Sequence, residues 1–104
     1  GIAGNVDCNV AYRDFGAAQT AVKIDTTCDV TKSAGEFYTF KTTCNQQPTV
    51  TVGTPGVAAL QHCRREMDAD FYHLCFTGKP GSATGIYTAA PGEQPLKRFV
   101  ARVK

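Results

Sequence analysis

The sequence predicts an α+β fold: a single domain over residues 1–104, built as an antiparallel β-sheet with one short amphipathic helix and stabilised by disulfides. Three observations predict it. Apolar and polar residues alternate with period two along most of the chain, the signature of half-buried strands. One stretch, opening at Thr54-Pro55, carries a helix-start signal instead. Five cysteines in 104 residues suit the stapling of a small exported domain.

The strands follow from the alternation. Val6, Cys8 and Val10 share one phase against Asn5, Asp7 and Asn9, and Val22, Ile24, Thr26 and Cys28 repeat it against Lys23, Asp25 and Thr27. Tyr38, Phe40, Thr42 and Cys44 alternate with Phe37, Thr39 and Lys41. Thr49 to Val52, Phe71 to Phe76, Thr84 to Thr88 and Lys97 to Val103 complete the set, with β-branched and aromatic residues to fill a pleated surface. Asp29 to Gly35, Gly78 to Gly81 and Ala89 to Pro95 hold the turn residues. The helix is expected over Val57 to Asp68. Thr54 would act as N-cap and Pro55 would take the first helical position. At 100° per residue Val57, Leu60, Cys63 and Met67 gather on one side, opposite Ala58, His62, Arg65 and Glu66.

Composition excludes several classes. Hydrophobic residues make up 42% of the chain and charged residues 19%, unlike a disordered segment. No apolar run reaches the roughly 18 residues of a membrane helix, so no membrane span is expected. The net charge of +2 is too small to imply a nucleic-acid partner. The only methionine, Met67, is internal, which fits a processed chain, and cysteine usage favours secretion to the extracellular space.

The residues able to carry chemistry form no convergent set. His62 and Glu66 stand four apart on the expected helix, raw material for acid–base catalysis. On a solvated face, such a pair is worth only about 0.2–0.5 kcal/mol of helix stability. His73 alternates with Phe71 and Cys75 on one strand face, and a His beside a Cys suggests a base and a nucleophile, although no third orienting group can be named. A ribonuclease-like site would draw on His73, Glu66 and Arg64 as base, acid and phosphate-holding cation, yet no spacing ties them together. His62, Cys63, His73 and Cys75 make a poor zinc set, because the adjacent pair diverges on a helix. No metal, cofactor or catalytic residue is therefore assigned, and the reading leans away from an enzyme. The loop Lys79-Pro-Gly81 suits a third possibility, an enzyme inhibitor.

Charge distribution is more informative. Four of the eleven Lys and Arg lie in the last eight residues, which contain no acid. Lys97, Arg98, Arg102 and Lys104 are the candidate binding residues, with Arg98, Arg102 and Lys104 on one solvent-facing side of the last strand. They would meet a protein, lipid or polyanionic partner, or would simply guard a sheet edge.

Cysteine pairing is reached by elimination. Cys75 is out of phase with Tyr72, Leu74 and Phe76, and is the candidate free thiol. If the second and third strands form a hairpin, Cys28 and Cys44 lie nearly a strand length apart, beyond the roughly 7 Å limit between Cα atoms. A hairpin of the first two strands sets Cys8 opposite Ile24, not Cys28. What remains is Cys8–Cys44 and Cys28–Cys63, each worth about 2–4 kcal/mol.

The short processed chain, the cysteines at 8, 28, 44, 63 and 75, the Thr-rich strands and the lack of a catalytic motif together resemble the small secreted effectors and killer-toxin-like proteins of fungi. That resemblance implies an exported protein acting on a host or competitor by binding, usually without enzyme activity. A small secreted RNase-like hydrolase is the alternative.

Overall fold

The computed structural model describes the backbone of Asn9–Arg13 and Val22–Lys23, and residues 29–104 in full. The expected strand positions at Val6 and Cys8, and from Ile24 to Cys28, lie outside the described residues. The described residues form nine strands and no helix: β1 (Asn9–Arg13), β2 (Val22–Lys23), β3 (Asp29–Lys32), β4 (Phe37–Thr43), β5 (Thr49–Val52), β6 (Ala58–Glu66), β7 (Ala69–Phe76), β8 (Ala83–Ala89) and β9 (Leu96–Val103). The fold of these residues is all-β, not α+β. One five-stranded sheet runs β2-β1-β4-β7-β6, antiparallel throughout. A four-stranded sheet runs β3-β9-β8-β5, where β3 is parallel to β9 and the other pairs are antiparallel.

Period two decides which side chains meet between the sheets. Along β7, Asp70, Tyr72, Leu74 and Phe76 are buried, while Phe71, His73 and Cys75 are half-buried on the other face. Tyr38, Phe40 and Thr42 of β4 lie opposite Leu74, Tyr72 and Asp70. The four-stranded sheet contributes Val30, Ile86, Phe99, Ala101 and Val103 to the same apolar cluster. Phe99 ties the layers together, its ring centroid 5.3 Å from Phe40 and 6.1 Å from Tyr38. Each such side chain contributes about 1.5–3 kcal/mol through burial.

The expected helix over Val57 to Asp68 is instead strand β6. Its residues are good helix formers, but tertiary demands override that preference. Gly56 adopts φ +85° and the Thr54 amide donates to Oγ1 of Thr84 at 2.8 Å, so the would-be N-cap is stitched to β8. Without β6, one edge of β7 would present its amides and carbonyls unpaired. The two strands pair from Ala58↔Phe76 to Glu66↔Ala69, leaving Met67-Asp68 as a two-residue hairpin loop with Met67 at φ 55°. Met67, expected on the apolar side of a helix, is 94% exposed.

A bulge at Cys63 then shifts the phase of β6. Before it, Leu60 and His62 oppose the inward residues Leu74 and Tyr72; after it, Arg65 opposes Asp70. The extra residue turns Arg65 inward and Arg64 outward, a re-aiming that β-bulges commonly produce.

Two further expectations change. Asp29–Lys32, expected to open a turn, forms β3, with Val30 as its one buried apolar residue. The last strand is not an edge, because β9 lies between β3 and β8. Gly78 sits where segments cross: a Cβ there would come 3.0 Å from Cα of Val57 and 3.2 Å from the Gly56 carbonyl oxygen.

Cysteine pairing also departs from expectation. Cys75 is a free thiol, as expected, but Cys63 is free as well, so the expected Cys28–Cys63 bridge is not made. No two cysteines among the described residues are linked to each other, and sheets and core hold residues 29–104 together. Cys44 is buried and disulfide-bonded, and the expected Cys8–Cys44 bridge falls on Cys8, which lies outside the described residues. The assumed hairpin of the second and third strands is not formed: β2 pairs with β1, and β4 lies between β1 and β7.

Candidate functional site

The outward face of the five-stranded sheet gathers rings and cations in three transverse rows across β4, β7 and β6. Register places Lys41, Phe71 and Arg64 in the first row, Thr39, His73 and Gln61 in the second, and Phe37, Cys75 and Ala59 in the third. Neighbouring strands lie about 4.8 Å apart and successive rows about 6.6 Å. The Arg64 guanidinium carbon sits 4.0 Å from the centre of the Phe71 ring. Glu66 accepts from Arg64 Nε at 3.0 Å. Phe37 is 55% exposed and meets the His73 ring edge-on at 5.9 Å. Phe37, His73 and the Arg64–Phe71 stack gather on one face, which makes this face the candidate contact surface.

The inward face carries a polar node at one end of the core. Asp70 is fully buried. Nε2 of His62 lies 3.0 Å from its Oδ1, a bond that holds the proton on Nε2 while the carboxylate is ionised. Arg65 Nη1 donates to its Oδ2, while Nη2 donates to the carbonyls of Cys44 at 3.1 Å and Asn45 at 3.3 Å. One arginine thereby joins β6, β7 and the segment after β4. The His62 ring stands edge-on to Tyr72 at 5.2 Å.

A carboxylate-oriented histidine is a familiar catalytic element. Here Arg65 already neutralises the carboxylate, and among the described residues no Ser, Thr or Cys side chain bonds to His62. The node is a structural clasp.

Burial, and then the charge of Asp70, push the Tyr72 phenol above its ordinary value of 10.0. The folded protein therefore keeps this proton where the unfolded chain releases it. The stability it contributes is whole below about pH 10 and falls as pH rises beyond that. In urea titrations followed by circular dichroism, wild type should weaken more steeply than Tyr72→Phe between neutral and strongly alkaline pH. Parallel curves would show that Tyr72 does not contribute to the alkaline loss.

The structure separates most of the site residues that the sequence singled out. His62 faces inward and Glu66, opposite Ala69, faces outward, so the expected pair is not formed. His73 shares the outward face with Arg64 and Glu66, but four strand positions put it about 13 Å from the Glu66 row. His62 and His73 lie on opposite faces, and among the described residues no group of three or more His, Cys, Asp or Glu side chains could hold a metal ion.

The C-terminal cations do not form one stripe. The register shift between Ile86 and Tyr87 leaves Arg98 as the extra residue of β9, and its Nε donates to Oγ1 of buried Thr88 at 2.7 Å. Arg102 pairs with Asp29 across the β3 contact at 3.1 Å. Lys97 and Lys104 remain exposed. Among the described residues no helix is long and apolar enough to cross a membrane.

No protein-family model matches this chain, and no curated protein or solved structure is similar to it.

The outward rings were partly visible in advance, since Phe71, His73 and Cys75 alternate on one face. Phe37 and Arg64 were not grouped with them, because that needs the register of three strands. Asp70 had a readable signal: it continues the inward phase of Tyr72, Leu74 and Phe76, and a carboxylate in an apolar phase must find a partner.

Proposed function

We propose that this chain is a secreted binding protein, an effector or toxin that acts on its target by contact instead of catalysis. The observation that carries the reading is the outward face of the five-stranded sheet, where Phe37 is 55% exposed beside His73 and Arg64 is stacked on Phe71. Clustered rings and a guanidinium are the residue types that dominate binding energy at contact surfaces. Secretion is supported by the five cysteines.

The contrast with catalysis rests on geometry. Acid–base chemistry needs its partners within hydrogen-bond reach of one reacting group. His62 is turned inward onto Asp70 and His73 stands about 13 Å from the Glu66 row. Incubation with RNA and with generic ester substrates should give no turnover that His62→Ala or His73→Ala removes. Turnover lost in either variant would replace this reading with the hydrolase.

A further inference from the structure

We propose that the outward face of the five-stranded sheet binds single-stranded nucleic acid, stacking bases on Phe37, His73 and the Arg64 guanidinium that covers Phe71, and taking phosphate at Lys41. The proposal rests on the binding-protein reading and names its ligand class.

Ring placement comes first. His73 and Phe71 are two positions apart on β7, about 6.6 Å along the strand, and the Phe37 and His73 rings are 5.9 Å apart. The three rings form a track along the sheet. Sheet faces that hold single strands stack successive bases on such rings, and every base offers a π-face whatever its sequence.

Charge points the same way. The nine residues of the three rows include two cations, Lys41 and Arg64, and no carboxylate. Both cations flank Phe71 in one row, so a base stacked on the guanidinium that covers this ring brings its phosphate toward Lys41. Glu66, in the next row, accepts from Nε of Arg64 at 3.0 Å and offsets its charge, which leaves Lys41 as the cation for phosphate. The guanidinium carbon lies 4.0 Å from the Phe71 ring centre and the Arg64 side chain is 52% exposed, an arrangement in which guanidinium planes also hold bases. An anionic lipid surface would ask for cations without a ring track. A protein partner would ask for a broader apolar centre than one well-exposed phenylalanine.

The test is fluorescence anisotropy with short labelled oligo-dT and oligo-U at low salt, using the full chain. Both oligonucleotides should bind. Phe37→Ala and Phe37→Leu should each weaken binding by about fivefold or more, because leucine keeps apolar bulk without a ring. Lys41→Gln should weaken binding and flatten the dependence of log K on log salt by about 0.7. Both positions face outward, and urea melts of the variants check that the fold is kept. Polyglutamate of matched charge and anionic vesicles serve as competitors and should displace little. Absence of oligonucleotide binding, full affinity in Phe37→Leu, or displacement by either competitor at equal charge overturns the nucleic-acid assignment. Cleavage of oligo-U that His73→Ala abolishes is a different failure, because it overturns the binding-protein reading itself.

Discussion

Arg65→Ala should cost about 3–5 kcal/mol of folding stability, because it leaves a buried carboxylate without its cation. Asp70 is fully buried, and among the described residues only the His62 hydrogen bond at 3.0 Å remains to it without Arg65. The Arg65 side chain is itself 28% exposed, so the pair was not costly to desolvate on both sides. The same substitution releases the carbonyls of Cys44 and Asn45 from Nη2. In a domain of this size the loss corresponds to more than about 10 °C in melting temperature. Arg65→Lys keeps the charge without the planar fork and should fall between wild type and alanine. The double variant Arg65→Ala/Asp70→Ala should lose less than the sum of the two single variants, since neither charge is then left alone. A loss below about 1 kcal/mol in Arg65→Ala would place this clasp with ordinary surface ion pairs.

Phe99→Ala should cost a similar amount, about 3–5 kcal/mol, for a different reason. Its ring is fully buried and touches Phe40 and Tyr38 of the facing sheet, so truncation opens a void between the two layers. The backbone of β9 is held on both sides, by β3 and by β8, and cannot close in to fill the space. Urea denaturation should show a lower midpoint with an unchanged slope. Phe37→Ala is the internal comparison, since its ring is 55% exposed and its removal should leave stability within about 0.5 kcal/mol. Equal losses at Phe37 and Phe99 would contradict the assignment of inward and outward faces.

These two variants probe parts of the protein that were unequally legible in the sequence. Phe99 belongs to a strand whose alternation, Phe99, Ala101 and Val103, already marks the inward phase. The Arg65–Asp70 clasp needed three non-local facts together: that residues 58–66 are a strand, that this strand pairs with β7, and that a bulge at Cys63 reverses its phase. On a helix Arg65 would have pointed to solvent beside His62 and Glu66. On an unbulged strand it would have shared the outward face, with Arg64 turned inward in its place.

The sequence by itself determined that most of the described chain is strand, and which residues face inward along β4, β7 and β9. It also placed β5 at Thr49–Val52. Strand periodicity is local, written in side chains two positions apart, and needs no knowledge of partners. Only the tertiary structure decided that Ala58–Glu66 is a strand despite its helix formers and that Asp29–Lys32 pairs in parallel with β9. It alone dispersed the C-terminal cations, carrying Arg98 to Thr88 and Arg102 to Asp29. The physical reason is common to all three. An open strand edge, a register and a bulge are settled by backbone groups that must find partners far away in the chain, and that need overrides the weak preferences of the local sequence.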